Sequence, residues 1–308
     1  MHNAPHITAS SWLMISLLAF IWGGTFMVTE IALTGMPPFW IAASRVSLAA
    51  LVMTAIWSLR GFHLFAVSPT KTDLTALIFV GAASSAVPFS LLAWGQQYVT
   101  SGFAGVSMAA VALIILPLAH FFVQGERMTP RKTLGFVIGF IGVTILIGSQ
   151  AFESTGAAFE TAGRFACLGA ASCYALSSLV MRRLPQVDAI GLATILLIIA
   201  SVITIPLAFM IEGLPPLPSA KILGVLAFLG LIPTAAANFL RVLVVRSAGP
   251  VFMSLVNYQV PIWSVCLGAL ILGEPLPASL IWSLALILAG VALSQYGALR
   301  RLFTNTPT

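Results

Sequence analysis

The chain has 308 residues, 59% of them hydrophobic and only 7% charged, with a mean hydropathy of +1.06 and a formal net charge of +6. A soluble domain carries about 25% charged residues, so this chain lacks the polar surface to cover a water-soluble globule and lipid is its expected solvent. Apolar runs of about 20 residues recur along it, each able to cross ~30 Å of hydrocarbon as a helix, while the alternating segments of about 10 residues that build a barrel are missing.

Taken in order, the expected spans are Trp12–Leu33, Pro38–Leu59, Leu74–Gln97, Ser101–Val123, Arg131–Gly148, Gly163–Met181, Ala189–Ile211, Lys221–Val245, Pro250–Leu272 and Ala278–Gly297. The connectors are short and polar, and none is long enough to be an aqueous domain. The N-terminus has neither a basic n-region nor a small-residue cleavage site, so the first span is expected to stay in place.

A plan repeats along the chain. Residues 97–148 hold a break at Thr100–Gly102, an apolar segment with Pro117, a turn at Gly125-Glu126 and a second apolar segment with Gly142-Val143. Residues 247–297 hold a break at Ala248-Gly249-Pro250, an apolar segment with Pro261, a turn at Gly273-Glu274 and a segment with Gly290-Val291. Both Gly-Glu turns and both Gly-Val pairs lie 148 residues apart. A period near half the chain points to a duplicated unit. The turns themselves are read as structural hinges or helix termini, not as the site.

With the N-terminus inside, the cytoplasmic connectors carry Arg60, Lys71, Arg127, Arg131, Lys132, Arg182, Arg183, Arg246, Arg300 and Arg301, against Arg164 and Lys221 outside. That bias sets the topology, places both termini in the cytoplasm, and explains the net charge without a nucleic-acid patch. Five spans separate the copies, so the halves have opposite orientation. Inverted halves are a plan of secondary transporters, with substrate held between them near the midplane. The expected fold is therefore an all-α integral membrane protein, with ten transmembrane helices in two inverted five-helix repeats, residues 1–150 and 151–308, around a central cavity.

The sequence resembles the drug/metabolite transporter superfamily in its ten-helix form with two EamA-type repeats. The residues that carry the resemblance are Trp22-Gly23-Gly24-Thr25-Phe26, the stretch from Pro38 to Arg45, Gln97-Tyr98-Val99, Ser101, Pro117, Gly125-Glu126-Arg127, Gly135 and Gly142-Val143. In the second copy they are Tyr174, Arg182-Arg183, Pro261, Gly273-Glu274 and Gly290-Val291. The resemblance implies a carrier of the cytoplasmic membrane that exports amino acids or related metabolites, with aromatic amino acid exporters as the branch to test first. It also implies that the fifth and tenth spans join the halves at the back.

Polar groups inside a bilayer are costly and tend to face a cavity or one another. Asn257, Tyr258 and Gln259, near the middle of the ninth span, form the densest such cluster, and Pro261 frees the Asn257 carbonyl. They are read as substrate contacts, the alternative being interhelical hydrogen bonding. Arg45, seven residues into the second span, is read as a bidentate receptor for a carboxylate, or else as a structural arginine paired with helix-end carbonyls or Glu30. Asn238 and Arg241 share one face of the eighth span, with a snorkelling Arg241 as the alternative. Trp22 and Trp94 could stack on an aromatic solute, the alternative being core packing. His120 is read as a hydrogen-bonded packing residue.

No Asp or Glu is expected at mid-membrane, since Glu30 lies at the outer end of the first span. That weakens a carboxylate-based proton antiport. The sequence has no phosphate-binding loop for ATP and no catalytic set, and Cys167, Cys173 and Cys266 make neither a disulfide framework nor a metal site. No cofactor is expected. The partners are a small-molecule substrate and the lipid bilayer, not nucleic acid, with a monomer as the working state. A drug or other metabolite exporter is the alternative within the class, and a membrane-embedded enzyme or channel the alternative outside it.

Overall fold

The computed structural model describes residues 8–65, 68–122, 127–148, 159–185, 187–297 and 300, and among these the chain is helical apart from one isolated bridge between Phe65 and Val187. The helices are α1 (Ala9–Leu33), α2 (Pro38–Ser58), α3 (Lys71–Gly81), α4 (Val87–Gly95), α5 (Ser101–Phe122) and α6 (Pro130–Gly148). They continue with α7 (Glu160–Met181), α8 (Ala189–Glu212), α9 (Ala220–Leu229), α10 (Ala237–Met253), α11 (Val256–Leu272) and α12 (Ala278–Ser294). A π-helical segment, Ala82–Ala86, joins α3 to α4, and a second, Gly230–Ala236, joins α9 to α10. Counting Lys71–Gly95 and Ala220–Val245 as single helical runs, seven helices among the described residues are long and apolar enough to cross a membrane, and α11 and α12 are shorter apolar helices.

Local sequence sets the helix ends. Thr8 with Ser11 and Thr70 with Asp73 form capping boxes at α1 and α3, satisfying backbone donors that have no partner inside the helix. The Asp188 carboxylate accepts from the Ile190 and Gly191 N–H groups at the start of α8, and Ser219 caps α9. Pro38 opens α2, where a missing N–H costs nothing. Gly273 ends α11 at φ 68°, a left-handed conformation that suits glycine.

The helix ends differ in charge. One end of the bundle holds Glu30, Glu160, Glu212 and Glu274 with Arg164 and Lys221; the other holds Arg60, Lys71, Arg131, Lys132, Arg182 and Arg183 with Asp73 and Asp188. At the acidic end the Glu212 carboxylate accepts from the Phe39 and Trp40 N–H groups at 3.0 and 3.1 Å, and Trp40 Nε1 donates to the Gly213 carbonyl. The Glu274 carboxylate likewise accepts from the Ser101 and Gly102 N–H groups at 2.8 and 3.0 Å. Each glutamate thus sits at the positive end of a helix from elsewhere in the chain, where a negative charge is stabilising. At the basic end Arg60 pairs with Asp188 at 3.5 Å, and the Asp188 N–H donates to the Leu64 carbonyl.

Small residues bring the helices close. A Cβ added at Gly135 would lie 2.5 Å from the Gly290 carbonyl oxygen, and one at Gly142 would lie 2.9 Å from Ile287 Cγ1. The α6–α12 contact therefore depends on glycine, as membrane helix pairs without a hydrophobic drive commonly do. The two Gly-Val pairs of the sequence lie on these two helices.

Three expectations change. The ninth span does not begin at Pro250. Helix α10 continues to Met253, and the break falls at Ser254-Leu255, where bonds such as Asn257 N–H to the Ser254 carbonyl tighten the chain. A proline inside a helix in lipid is tolerated when neighbouring groups satisfy the freed backbone. Consequently Asn257, Tyr258 and Gln259 occupy the first turn of α11 rather than mid-helix. The third span begins at Lys71, three residues early, because the Thr70–Asp73 capping box starts it. The Gly125-Glu126 turn lies outside the described residues.

Candidate functional site

The π-helical segment Gly230–Ala236 is the hub of the interior. Its widened turn is visible in the Ala237 N–H bonding to the Ile232 carbonyl, five residues back. Pro233 contributes no N–H. Segments of this kind leave backbone groups free for other partners and recur at functional sites. Here the Pro233 carbonyl accepts from Trp22 Nε1 at 3.1 Å, and the Thr234 carbonyl accepts from Asn238 Nδ2 at 2.5 Å. The Thr234 hydroxyl donates to the Leu229 carbonyl at 2.8 Å and accepts from Arg45 Nε at 2.7 Å.

Arg45 is only 8% exposed. Its guanidinium carbon lies 4.1 Å from the centre of the Phe89 ring, a geometry in which the ring face attracts the cation. Phe89 stands on α4, just past the other π-helical segment. Tyr174 of α7 is near enough to interact electrostatically with Arg45. Among the described residues no carboxylate pairs with Arg45, and its two terminal nitrogens make no hydrogen bond. The alternative pairing with Glu30 does not occur; Glu30 instead faces the Gln96 amide. One N–H of the guanidinium is thus committed to Thr234, and the planar fork of the remaining donors has no hydrogen-bond partner among the described residues. That fork matches a carboxylate.

The structure brings Trp22, Arg45 and Asn238 together around one segment. Arg241, three residues beyond Asn238, is exposed and has no described ion-pair partner. Asn257, Tyr258 and Gln259 are elsewhere: Asn257 is exposed, and the Tyr258 hydroxyl donates to the Val291 carbonyl of α12 at 3.3 Å, an interhelical bond. Trp94 packs edge-on against Tyr98 and lines a depression of about 550 Å³ at the acidic end, together with Pro38, Phe39, Gln97 and Glu212. His120 is exposed and accepts from the Met128 N–H at 3.4 Å. Sequence reasoning missed Phe89 and Thr234 as parts of the cluster. The signal for Thr234 was Gly230 and Pro233 in one apolar run, the trace of an interrupted helix. Phe89 left no signal, since a phenylalanine in an apolar span is ordinary.

The EamA-like transporter family model matches residues 9–148 and again residues 161–296. Among similar proteins, the uncharacterized transporter YoaV of Bacillus subtilis is 22% identical over 92% of this chain and 96% of its own. The uncharacterized inner membrane transporter YedA of Escherichia coli is 26% identical over 91% of this chain and 89% of its own. One solved crystal structure superposes with a TM-score of 0.66 at 20% identity, over 95% of this chain and 99% of that one, a likeness that speaks for the fold.

Proposed function

We propose that this chain, which belongs to the EamA-like transporter family, exports amino acids or closely related carboxylate metabolites by alternating access. Its being a multi-pass membrane transporter rather than an enzyme is the premise; the substrate, the direction and the mechanism are the proposal. The observation that carries it is Arg45, an arginine held in the interior by Thr234 and Phe89 with its terminal donors uncommitted. A buried charge without a protein partner is expensive, so an anionic ligand is the economical complement. Trp22, Phe89 and Tyr174 around it suit an aromatic or apolar side chain on the same solute, and Asn238 adds a polar contact.

In this reading residues 1–150 and 151–308 are inverted five-helix halves that rock about the site, crossing the membrane ten times with both termini in the cytoplasm. Two facts support it: the family model matches each half once, and the two π-helical segments begin 148 residues apart, at Ala82 and Gly230. The name of the relative YedA supports the inner membrane as the location. Arg241 belongs to the site's approach. Trp94 at the acidic end and Asn257, Tyr258 and Gln259 at the opposite end of the bundle belong to the path, not the pocket.

The test compares phenylalanine with phenethylamine, which lacks only the carboxylate, as stabilisers of the purified protein in a thermal-shift measurement. Stabilisation by phenylalanine alone supports the reading. Stabilisation by phenethylamine and other organic cations, but not by phenylalanine, favours the drug exporter instead.

A further inference from the structure

The cluster around Arg45 is rich in donors and short of acceptors. The carbonyls of Leu229, Pro233 and Thr234 each already accept from a side chain, that of Thr234, Trp22 and Asn238 respectively. The Arg45 fork adds donors that have no partner among the described residues. Acids are missing from this depth. The chain has eight Asp and Glu residues. Glu126 and Glu153 fall between helices in the sequence, and the others stand within one turn of a helix end. None is as deep in a helix as Arg45, about two turns inside α2.

Arg241 puts a second cation on the inner side of the bundle. On α10, Phe239, Leu243 and Ser247 are exposed at four-residue spacing and form the outward stripe, whereas Ala237, Val244 and Ala248 are buried in the core. At about 100° per residue, Arg241 falls about 160° around the helix from Phe239 and Leu243, and within about 60° of each of those core positions. It is nevertheless exposed, and it has no ion-pair partner among the described residues. The space it reaches therefore lies on the inner side of α10, not in lipid. Asn238 points about 60° away from it, and Thr234, the partner of Arg45, lies ~10 Å back along the helix.

A carboxylate on the Arg45 fork neutralises that charge and leaves Arg241 uncompensated. An ammonium group on the same solute has three donors and no acceptor, so it meets occupied carbonyls and a second cation. A hydroxyl or oxo group in its place accepts hydrogen bonds and adds no charge. We propose that the cavity takes carboxylates without an ammonium group, such as aromatic 2-hydroxy and 2-oxo acids, more tightly than the corresponding amino acids, and that Arg241 is the residue that discriminates. The inference rests on the Arg45 reading and narrows it; the amino acids remain substrates, bound more weakly. Repulsion between two unit charges ~10 Å apart, at an effective dielectric of ~20, changes affinity roughly tenfold.

The test sets phenylalanine against phenyllactate, in which a hydroxyl replaces the ammonium group at nearly the same size. Each is titrated into the purified protein, and the concentration giving half of the maximal thermal stabilisation is read. The wild type is expected to need roughly tenfold less phenyllactate than phenylalanine. Arg241→Gln should bring the two concentrations together, and Arg241→Lys, which keeps the charge, should hold them apart. Circular dichroism checks that each variant is folded, and the wild-type ratio decides alone where they are not. Wild-type protein that binds phenylalanine as tightly as phenyllactate, or more tightly, overturns the proposal while the Arg45 reading stands. A preference that persists in folded Arg241→Gln, or that folded Arg241→Lys loses, also overturns it. Stabilisation by neither compound overturns both the proposal and the reading beneath it.

Discussion

The two π-helical segments start at the same point of the 148-residue period and carry different chemistry. Ala82–Ala86 contains only alanine and serine, neither the Ser84 nor the Ser85 hydroxyl makes a hydrogen bond among the described residues, and the one side chain it receives is the Ser90 hydroxyl, which donates to the Ala86 carbonyl at 2.9 Å. Gly230–Ala236 receives Trp22 and Arg45 from other helices as well as the local Asn238. The backbone device recurs, while the polar ligands gather on one copy. A small solute with a charged end and an apolar end has no twofold symmetry, so one specialised copy can bind it while both copies supply the widened turns.

Substitutions can break or sharpen that contrast. The largest effect is expected from Arg45→Ala. A hydrogen bond to a charged group is worth about 1.5–3 kcal/mol, so transport efficiency in proteoliposomes should fall roughly 10- to 100-fold. Arg45→Lys should recover little of it, because a point charge does not replace the planar fork. Next comes Thr234→Val, which leaves Arg45 Nε buried without its acceptor. A loss of about 1–3 kcal/mol in stability is expected, read as a lower midpoint of thermal unfolding in detergent. Trp22→Phe removes one bond to the Pro233 carbonyl and should cost about 0.5–1.5 kcal/mol by the same measurement. Ser85→Ala, in the first segment, should stay within about 0.5 kcal/mol of wild type. If Ser85→Ala proved as damaging as Thr234→Val, the two segments would be equivalent and the contrast would be lost.

Much of the fold was legible because lipid imposes simple rules. Apolar runs marked the helices, Lys and Arg marked one end of the bundle, and the Gly-Val pairs marked α6 and α12, which pack together through glycines. The site was less legible. Arg45 stood out as a charge in an apolar run, but its partner Thr234 is 189 residues away and chemically ordinary for a span. Asn257 and its neighbours drew attention by polarity alone, and their weight depended on a depth that the break at Ser254-Leu255 changes. Glu274 read as part of a turn, whereas its carboxylate caps a distant helix, α5. Local pattern reports helix ends well; it does not report which helix end a side chain reaches across to.

The most direct test of the carrier reading is counterflow in proteoliposomes preloaded with unlabelled phenylalanine. Wild-type protein is predicted to give saturable uptake of labelled phenylalanine that the internal amino acid accelerates, and Arg45→Ala is predicted to abolish the acceleration. Uptake that is linear in concentration and indifferent to internal phenylalanine, or an Arg45→Ala protein that matches wild type, would contradict it.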